Sequence, residues 1–344
     1  MNNLDLNPLV SICIPTYNGE EYIRETLDCA INQTYNNVEI IITDDCSSDN
    51  TVLICKEYAE KDSRIKVYQN KVNLGLVGNW KKSIAKSNSN WIKFLFQDDL
   101  FDIDCVEIMI NAALTHDVNF VLSNREYIFD EKVPAKTRIG YYSLPQTGEI
   151  FNKSKVYSPE ETSVLISKHI FHNSIGEPPT FLFNKEKYSP EDFPEDFQQL
   201  VDYIFALNKI LSENFYFITR KLVKFRVHSN SQTAKNTKNT FETKGELNKH
   251  IHVYYYERIK ICHEILNNKI FYKIKEIIGE NKLKKIAKFI IYKGVKRLPS
   301  SDVLAYYSTT PIADFILKGV KKPYSFHYKV LKNVCKKQRR YYKV

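Results

Sequence analysis

The sequence predicts an α/β fold built on a mostly parallel sheet with helices on both faces, followed by a basic helical segment at the C-terminus. Short β-branched runs alternate with amphipathic helical runs through the first third of the chain, polar residues recur where those strand runs end, and lysine and arginine concentrate after residue 240. Strands joined through helices lie parallel because the helix carries the chain back to the same end of the sheet, and that crossover is right-handed. In such sheets ligands bind beyond the carboxyl ends of strands.

Leu9–Ile14 forms the first strand and stops at Pro15, which has no N–H to offer a ladder; the chain then turns at Asn18-Gly19. Glu20 to Gln33 follows as a helix, with Tyr22, Ile23, Leu27, Ala30 and Ile31 at helical spacing. Val38–Thr43 is the second strand. Asp49 can cap the next helix, which carries Val52, Leu53, Ile54, Cys55 and Tyr58. Strands follow at Ile65–Tyr68 and Trp91–Phe96, then a helix from about Asp104 and a fifth strand at Phe120–Ser123. From Asn124 to about Asn173 the pattern loosens, interrupted by Pro134, Gly140, Pro145 and Gly148, as a substrate-specific insertion or lid would be. Regularity returns with a helix over Glu160–Phe171, a strand at Thr180–Phe183, a helix at Leu200–Leu211, and strands at Phe215–Thr219 and Leu222–Val227. A polar linker, Ser229 to Thr243, leads into helical, basic sequence, dividing the chain at 1–123, 124–232 and 233–344.

A chain of 344 residues suits a two-lobed catalytic unit with an appendage, and 43% apolar residues can fill a sizeable core. The seven cysteines form no C-x-x-C pair and suggest reduced thiols of the cytosol. Met1 to Pro8 is polar, so no secretory signal is expected. Residues 1–240 hold 26 Lys/Arg against 32 Asp/Glu, whereas 241–344 hold 24 against 8. The basic balance therefore belongs to the tail. The remainder has no basic stripe interleaved with aromatics, no zinc-finger spacing and no RNP signature, which argues against nucleic acid as a partner.

The second strand runs into Asp44-Asp45-Cys46-Ser47-Ser48-Asp49 and the fourth into Gln97-Asp98-Asp99. Carboxylates gathered at one sheet edge repel unless a cation or hydrogen-bonding ligand compensates them. A ligand is implied. Five pieces then carry a resemblance: P-T-Y-N at Pro15–Asn18, D-D-x-S-x-D at Asp44–Asp49, N-L-G-x-x-x-N at Asn73–Asn79, Q-D-D at Gln97–Asp99 and R-V-H at Arg226–His228. Together they resemble the inverting family 2 glycosyltransferases of bacterial surface-polysaccharide synthesis, whose GT-A fold joins a nucleotide-binding βαβ half (here 1–123) to an acceptor-binding half (124–232).

The resemblance implies that Pro15, Tyr17 and Asp45 line a nucleobase pocket, with Asn18 beside them and Asn73, Gly75 and Asn79 covering the nucleoside. Asp98 would meet the ribose or donor sugar, and Asp99 would hold Mn²⁺ or Mg²⁺, hard ions that favour carboxylate, water and phosphate oxygens. Phe96 stands where many relatives carry a further acid. His228 would complete the metal shell or touch the diphosphate, while Arg226 supports it or neutralises phosphate. Asp44 and Asp49 are expected to be structural. An inverting transfer needs a carboxylate to take the acceptor proton. Asp202, in the first turn of a helix whose dipole would keep it ionised, fits the family pattern best; Glu195 and Asp196 form the competing pair.

In the tail, Lys282–Leu298 places Leu283, Ile286, Ala287, Ile290 and Gly294 on one stripe among lysines. Such a helix is too short and charged to span a bilayer but can lie on an anionic surface; alternatively it packs as a helical subdomain. The expectation is a cytoplasmic enzyme, peripheral on the inner face of the plasma membrane, moving sugar from a UDP-sugar to a glycan or lipid-linked oligosaccharide. The alternatives are a nucleotidyltransferase, which would show a glycine-rich phosphate loop after the first strand where this chain has Thr16–Glu20, and a non-catalytic sugar-nucleotide-binding scaffold.

Overall fold

The computed structural model describes residues 7–143, 145–188, 192–194, 197, 199–228 and 257–295. The chain divides into two compact units, one ending at Ser231 and the other comprising Phe197–Gln199 and Gln232–Val344.

The first unit is α/β. Strands β1 (Val10–Thr16) and β2 (Val38–Asp44) are buried along their whole length, which is why both read as near-continuous apolar runs. With β3 (Ile65–Gln69) and β4 (Trp91–Phe94) they form a parallel block in the order β3-β2-β1-β4, linked by α1 (Ile23–Ile31), α2 (Thr51–Ala59) and α3 (Gly75–Lys86). The order reverses after β1, opening a crevice at the strand ends.

A two-residue strand, β5 (Leu100–Phe101), and α4 (Cys105–His116) lead to β6 (Phe120–Phe129). Beyond β6 come α5 (Ala135–Tyr142), α6 (Thr147–Ile150), β7 (Lys155–Tyr157) and α7 (Pro159–Ile166), then β8 (Phe181–Asn184), α8 (Val201–Ser212) and β9 (Phe215–Val227). The sheet continues β4-β8-β6-β9-β5, with β7 also on β9. β8 runs antiparallel to both β4 and β6, while β6 and β9 are parallel.

Several expectations change here. β6 extends past Ser123 to Phe129, because its second half pairs with β9. The two strands expected at 215–227 are one strand whose register against β6 shifts between Ser123 and Arg125; its first half also pairs β7 and its second half β5. α7 ends at Ile166 instead of Phe171 and starts at Ser158, whose side chain accepts from Glu161 N–H. Asp49 is not the cap residue of α2. Asn50 is, although Asp49 Oδ1 accepts from Thr51 N–H at 3.1 Å.

One face of the parallel block buries Val10, Ile12, Ile14, Ile40 and Ile42 against Ile23 and Leu27 of α1 and Met109 and Ile110 of α4. Truncating a residue such as Leu27 would cost about 2–5 kcal/mol. Among the described residues every cysteine is a free thiol, and no helix is long and apolar enough to cross a membrane. In the second unit, helices occupy 257–267, Tyr272–Ile278 and Glu280–Val295. Leu283, Ala287 and Ile290 of the last helix are buried, whereas Lys282, Lys284, Lys285 and Phe289 are exposed. Three positions of the apolar stripe are therefore buried, and Ile286 is half-buried. Gly294 and the positions from 296 onward, including Leu298, lie outside what is described of side chains.

Candidate active site

Parallel pairing brings the ends of β1 and β2 level, with Pro15 opposite Thr43 and Thr16 opposite Asp44. Asp44 closes the β2 turn, accepting from Thr16 Oγ1 at 3.0 Å, Ser47 N–H at 2.9 Å and Ser47 Oγ. Asp45 is buried and acts as a clasp. Its Oδ1 accepts from Leu74 N–H (2.7 Å) and Asn70 Nδ2 (2.9 Å), and its Oδ2 from Gly75 N–H (2.9 Å). Donation of backbone N–H groups at the start of α3 to a carboxylate is favourable in charge and geometry. Gly75 adopts φ +73°, a left-handed conformation that costs glycine little.

Asn73 tightens this turn, its Nδ2 donating to Asp45 O (3.1 Å) and its Oδ1 accepting from Gly75 N–H (3.0 Å). Asn79 is not in a covering loop. It is buried one turn into α3, and its Nδ2 donates to Thr16 O (3.3 Å) and Thr43 O (2.8 Å), tying β1 to β2. Asn18 is exposed, but its Oδ1 is taken up by protein, accepting from Ser48 N–H at 2.8 Å. Tyr17 is the exposed aromatic of the set, at 49%, while its backbone pairs with the Gln97 amide at 2.8 and 3.1 Å. Gln97 thus bridges two strand ends, a role its sequence context did not reveal.

Asp98 and Asp99 follow β4 in a tight turn, Asp99 N–H donating to Phe96 O at 3.1 Å. Asp99 is 1% exposed; its Oδ1 accepts from Arg226 N–H at 2.8 Å, but its buried Oδ2 has no hydrogen-bond partner. Burial and the neighbouring Asp98 charge push the Asp99 carboxyl well above the usual carboxylate range. His228 contacts Asp98, Nε2 to Oδ2 at 2.9 Å. Arg226 is committed to protein groups: Nε donates to Asp98 O (2.9 Å), Nη2 pairs with Glu25 (2.5 Å), and Nη1 lies 3.9 Å from Asp130. The Tyr22 ring lies between Arg226 and His228, with its hydroxyl on Asp130. Arg226 is therefore a buttress of the Asp98-Asp99 turn.

Asp202 sits in the first turn of α8, half-buried, with Oδ1 accepting from Tyr203 N–H (2.7 Å) and Oδ2 from Asn173 Nδ2 (3.3 Å). The helix start does not hold its carboxyl in the ordinary range. Burial, assisted by the Glu177 charge, pushes it up to about 7. Glu195 and Asp196 lie outside the described residues. Sequence reasoning missed Glu177, whose charge acts on both Asp99 and Asp202. It also missed Arg125, whose Nε lies 2.9 Å from Glu177 Oε2. Both contacts join residues distant in sequence, and no local pattern marks them.

Residues 11–173 match the family model for glycosyl transferase family 2. An uncharacterized glycosyltransferase of Rickettsia typhi is 30% identical over 237 residues, 69% of each chain. The chain belongs to glycosyl transferase family 2. This glycosyltransferase is also similar, at 33% identity over 138 residues, to the Escherichia coli UDP-Glc:alpha-D-GlcNAc-diphosphoundecaprenol beta-1,3-glucosyltransferase WfgD, covering 40% of this chain and 52% of that protein. Its fold is similar to that of Staphylococcus aureus TarS 1-349 in complex with UDP-GlcNAc, with a TM-score of 0.59 at 16% identity over 97% of this chain and 92% of that one. At that identity the likeness speaks for the fold alone.

Proposed function

We propose that this glycosyltransferase moves a sugar from a UDP-linked donor to a hydroxyl of a glycan or lipid-linked oligosaccharide, with inversion and with the help of Mn²⁺ or Mg²⁺. The observation that carries the metal is Asp99 Oδ2, a carboxylate oxygen sealed from solvent with no hydrogen bond to satisfy it. A cation fits that oxygen. Among the described residues no cluster of three or more His, Cys, Asp or Glu side chains could hold a metal alone, which suits an ion shared with a substrate diphosphate. Asp99 would hold it, with Asp98 and His228 beside it, and the ion would neutralise charge on the leaving diphosphate.

The protein's own groups do the rest. The Asp45 clasp shapes the turn that faces the nucleoside, and exposed Tyr17 offers an aromatic wall to a uracil base. Asp202 takes the proton of the acceptor hydroxyl as that oxygen attacks the anomeric carbon. A carboxyl near 7 is suited to this, since general bases work best close to the ambient pH. A single base with in-line attack gives inversion. The E. coli relative's UDP-Glc donor and lipid diphosphate acceptor support the choice of UDP and of a lipid-linked acceptor. Contact with an anionic membrane would fall to the exposed lysines of Glu280–Val295 and to Phe289, at the cytoplasmic face.

Incubating purified protein with a panel of nucleotide-sugars, with and without Mn²⁺, and measuring binding and slow hydrolysis tests the proposal. Metal-dependent binding of a UDP-sugar is the expected result. Binding confined to other nucleotides, or unchanged in excess EDTA, would overturn the donor or the metal assignment respectively.

A further inference from the structure

The segment from Asn173 to Thr180 reaches into the site without appearing in any motif. Asn173 donates its Nδ2 hydrogen to Asp202 Oδ2 at 3.3 Å, and its own Oδ1 accepts from Gly176 N–H at 3.3 Å. The amide is thereby oriented, donor toward the carboxylate and acceptor toward the backbone. Gly176 has φ +110°, and a Cβ there would lie 2.6 Å from Arg125 Nη1 and 3.0 Å from Thr180 Oγ1. Only glycine lets the chain pass this close to a buried guanidinium.

Arg125 is 6% exposed and anchored from several sides. Nη1 donates to Thr147 Oγ1 (3.1 Å), Nη2 to Tyr127 OH (3.0 Å), and Nε faces Glu177 Oε2 (2.9 Å). Thr147 Oγ1 in turn donates to Ile175 O at 3.0 Å, so both ends of the 175–177 stretch are fastened to the same frame. Buried charges are kept where a partner compensates them, and breaking such a pair exposes the remaining charge to a dry interior. Two separate elements, β6 and α6, converge on the strip of chain that holds Asn173 and Glu177.

We propose that Asn173 is a positioning residue for Asp202, and that the pair of buried Arg125 and partly exposed Glu177 sets the field in which that carboxylate works. The inference rests on Asp202 being the base. With Tyr203 N–H on Oδ1 and Asn173 Nδ2 on Oδ2, the carboxylate is held at both oxygens and keeps its remaining lone pairs for the acceptor hydroxyl, and the Asn173 hydrogen bond favours the ionised form. Glu177 opposes it, because a like charge favours the protonated form; Arg125 moderates Glu177. The charged groups facing Asp202 are thus Glu177, from the turn before β8, and Arg125, from β6.

The experiment follows the Asp202 carboxyl itself in the full chain, by ¹³C NMR on protein labelled at the aspartate carboxyl carbons. The resonance is identified by its loss in Asp202→Asn. Asn173→Asp retains the acceptor for Gly176 N–H but replaces the donor with a like charge, and should move the Asp202 titration upward by about one pH unit. Glu177→Gln removes a negative charge and should move it downward by a similar amount. A merely structural role would not send the two variants in opposite directions. If both titrations coincide with the wild type, the proposal is wrong. If Glu177→Gln does not fold, by near-ultraviolet circular dichroism, Asn173→Asp decides alone: an upward shift supports the proposal and an unmoved titration overturns it. Turnover of the UDP-sugar that binds, measured for Asp202→Asn, separates the two levels. An inactive Asp202→Asn with unmoved titrations removes the positioning role and leaves the base in place, whereas an active one removes the base and the positioning role with it.

Discussion

Replacing Asp202 with asparagine should make the protein more stable and nearly inactive. The shape is retained, but the group can no longer take a proton, so kcat should fall by a factor on the order of 10²–10⁴ with little change in donor affinity. The stability effect follows from the same carboxyl. Its value of about 7 in the folded protein against an ordinary 3.8 means that between about pH 4 and pH 7 the folded state binds more protons than the unfolded one. Stability from this group therefore falls as pH rises through that window, and the full cost is present above pH 7. At about 1.4 kcal/mol per pH unit the difference sets an upper bound of about 4 kcal/mol. Partial exposure and the weakened bond from Asn173 reduce the expected gain to roughly 1–3 kcal/mol. Urea unfolding of both proteins at pH 5 and pH 8 measures it. The variant should gain on the wild type at pH 8 and gain less at pH 5. An equal difference at both values, or an inactive variant that is less stable at pH 8, would refute the argument that burial holds this carboxyl in a high-energy ionised state.

Asp99→Asn should remove metal-dependent turnover with the fold intact; full activity of this variant, or of wild type in excess EDTA, would end the metal assignment. Lys93 is fully buried in β4, donates to Pro179 O and lies over the Phe101 ring at 4.4 Å; burial lowers its ammonium to about 8 from an ordinary 10.5. Between those values the unfolded chain binds more protons, so wild-type stability should rise with pH, by up to roughly 3 kcal/mol, relative to Lys93→Met. Parallel slopes for the two proteins in denaturation at a pH series would contradict this. If the exposed lysines of Glu280–Val295 meet lipid, flotation with anionic vesicles should succeed at low salt and weaken as ionic strength rises. Equal binding to neutral and anionic vesicles, or none to either, would leave that helix as a packed element only.

The parallel block was legible because β1, β2 and β4 are buried along their length, although β1 runs through Pro15 to Thr16 instead of stopping before it. The Asp98-Asp99 pair was legible because it follows one of them. What escaped were features whose cause lies elsewhere in the chain. The second half of β6, Asn124–Phe129, mixes polar and aromatic residues as loops do and is a strand because β9 pairs with it. α5 buries none of its residues, so no apolar period announced it. The aspartate beside His228, the protein partners of Arg226, and the Arg125–Glu177 pair are tertiary facts. At Asp202 sequence reasoning named the residue but misjudged its electrostatics, because burial outweighs the helix start that was expected to keep it ionised.

The register shift in β9 has a consequence for how such enzymes diverge. Tyr216–Ile218 are in step with Val121–Ser123 and continue into the β7 ladder, while Val223–Val227 are in step with Arg125–Phe129 and pair β5, and the irregularity around Asn124 and Lys221 decouples the two ladders. A change of length or sequence in the stretch that carries α5, α6 and β7 need not be transmitted to Arg226 and His228, which close over Asp98 and Asp99. The bulge works as a buffer: a length change between β6 and β9 can be absorbed at 219–222 while Arg125–Phe129 keeps its alignment with Val223–Val227.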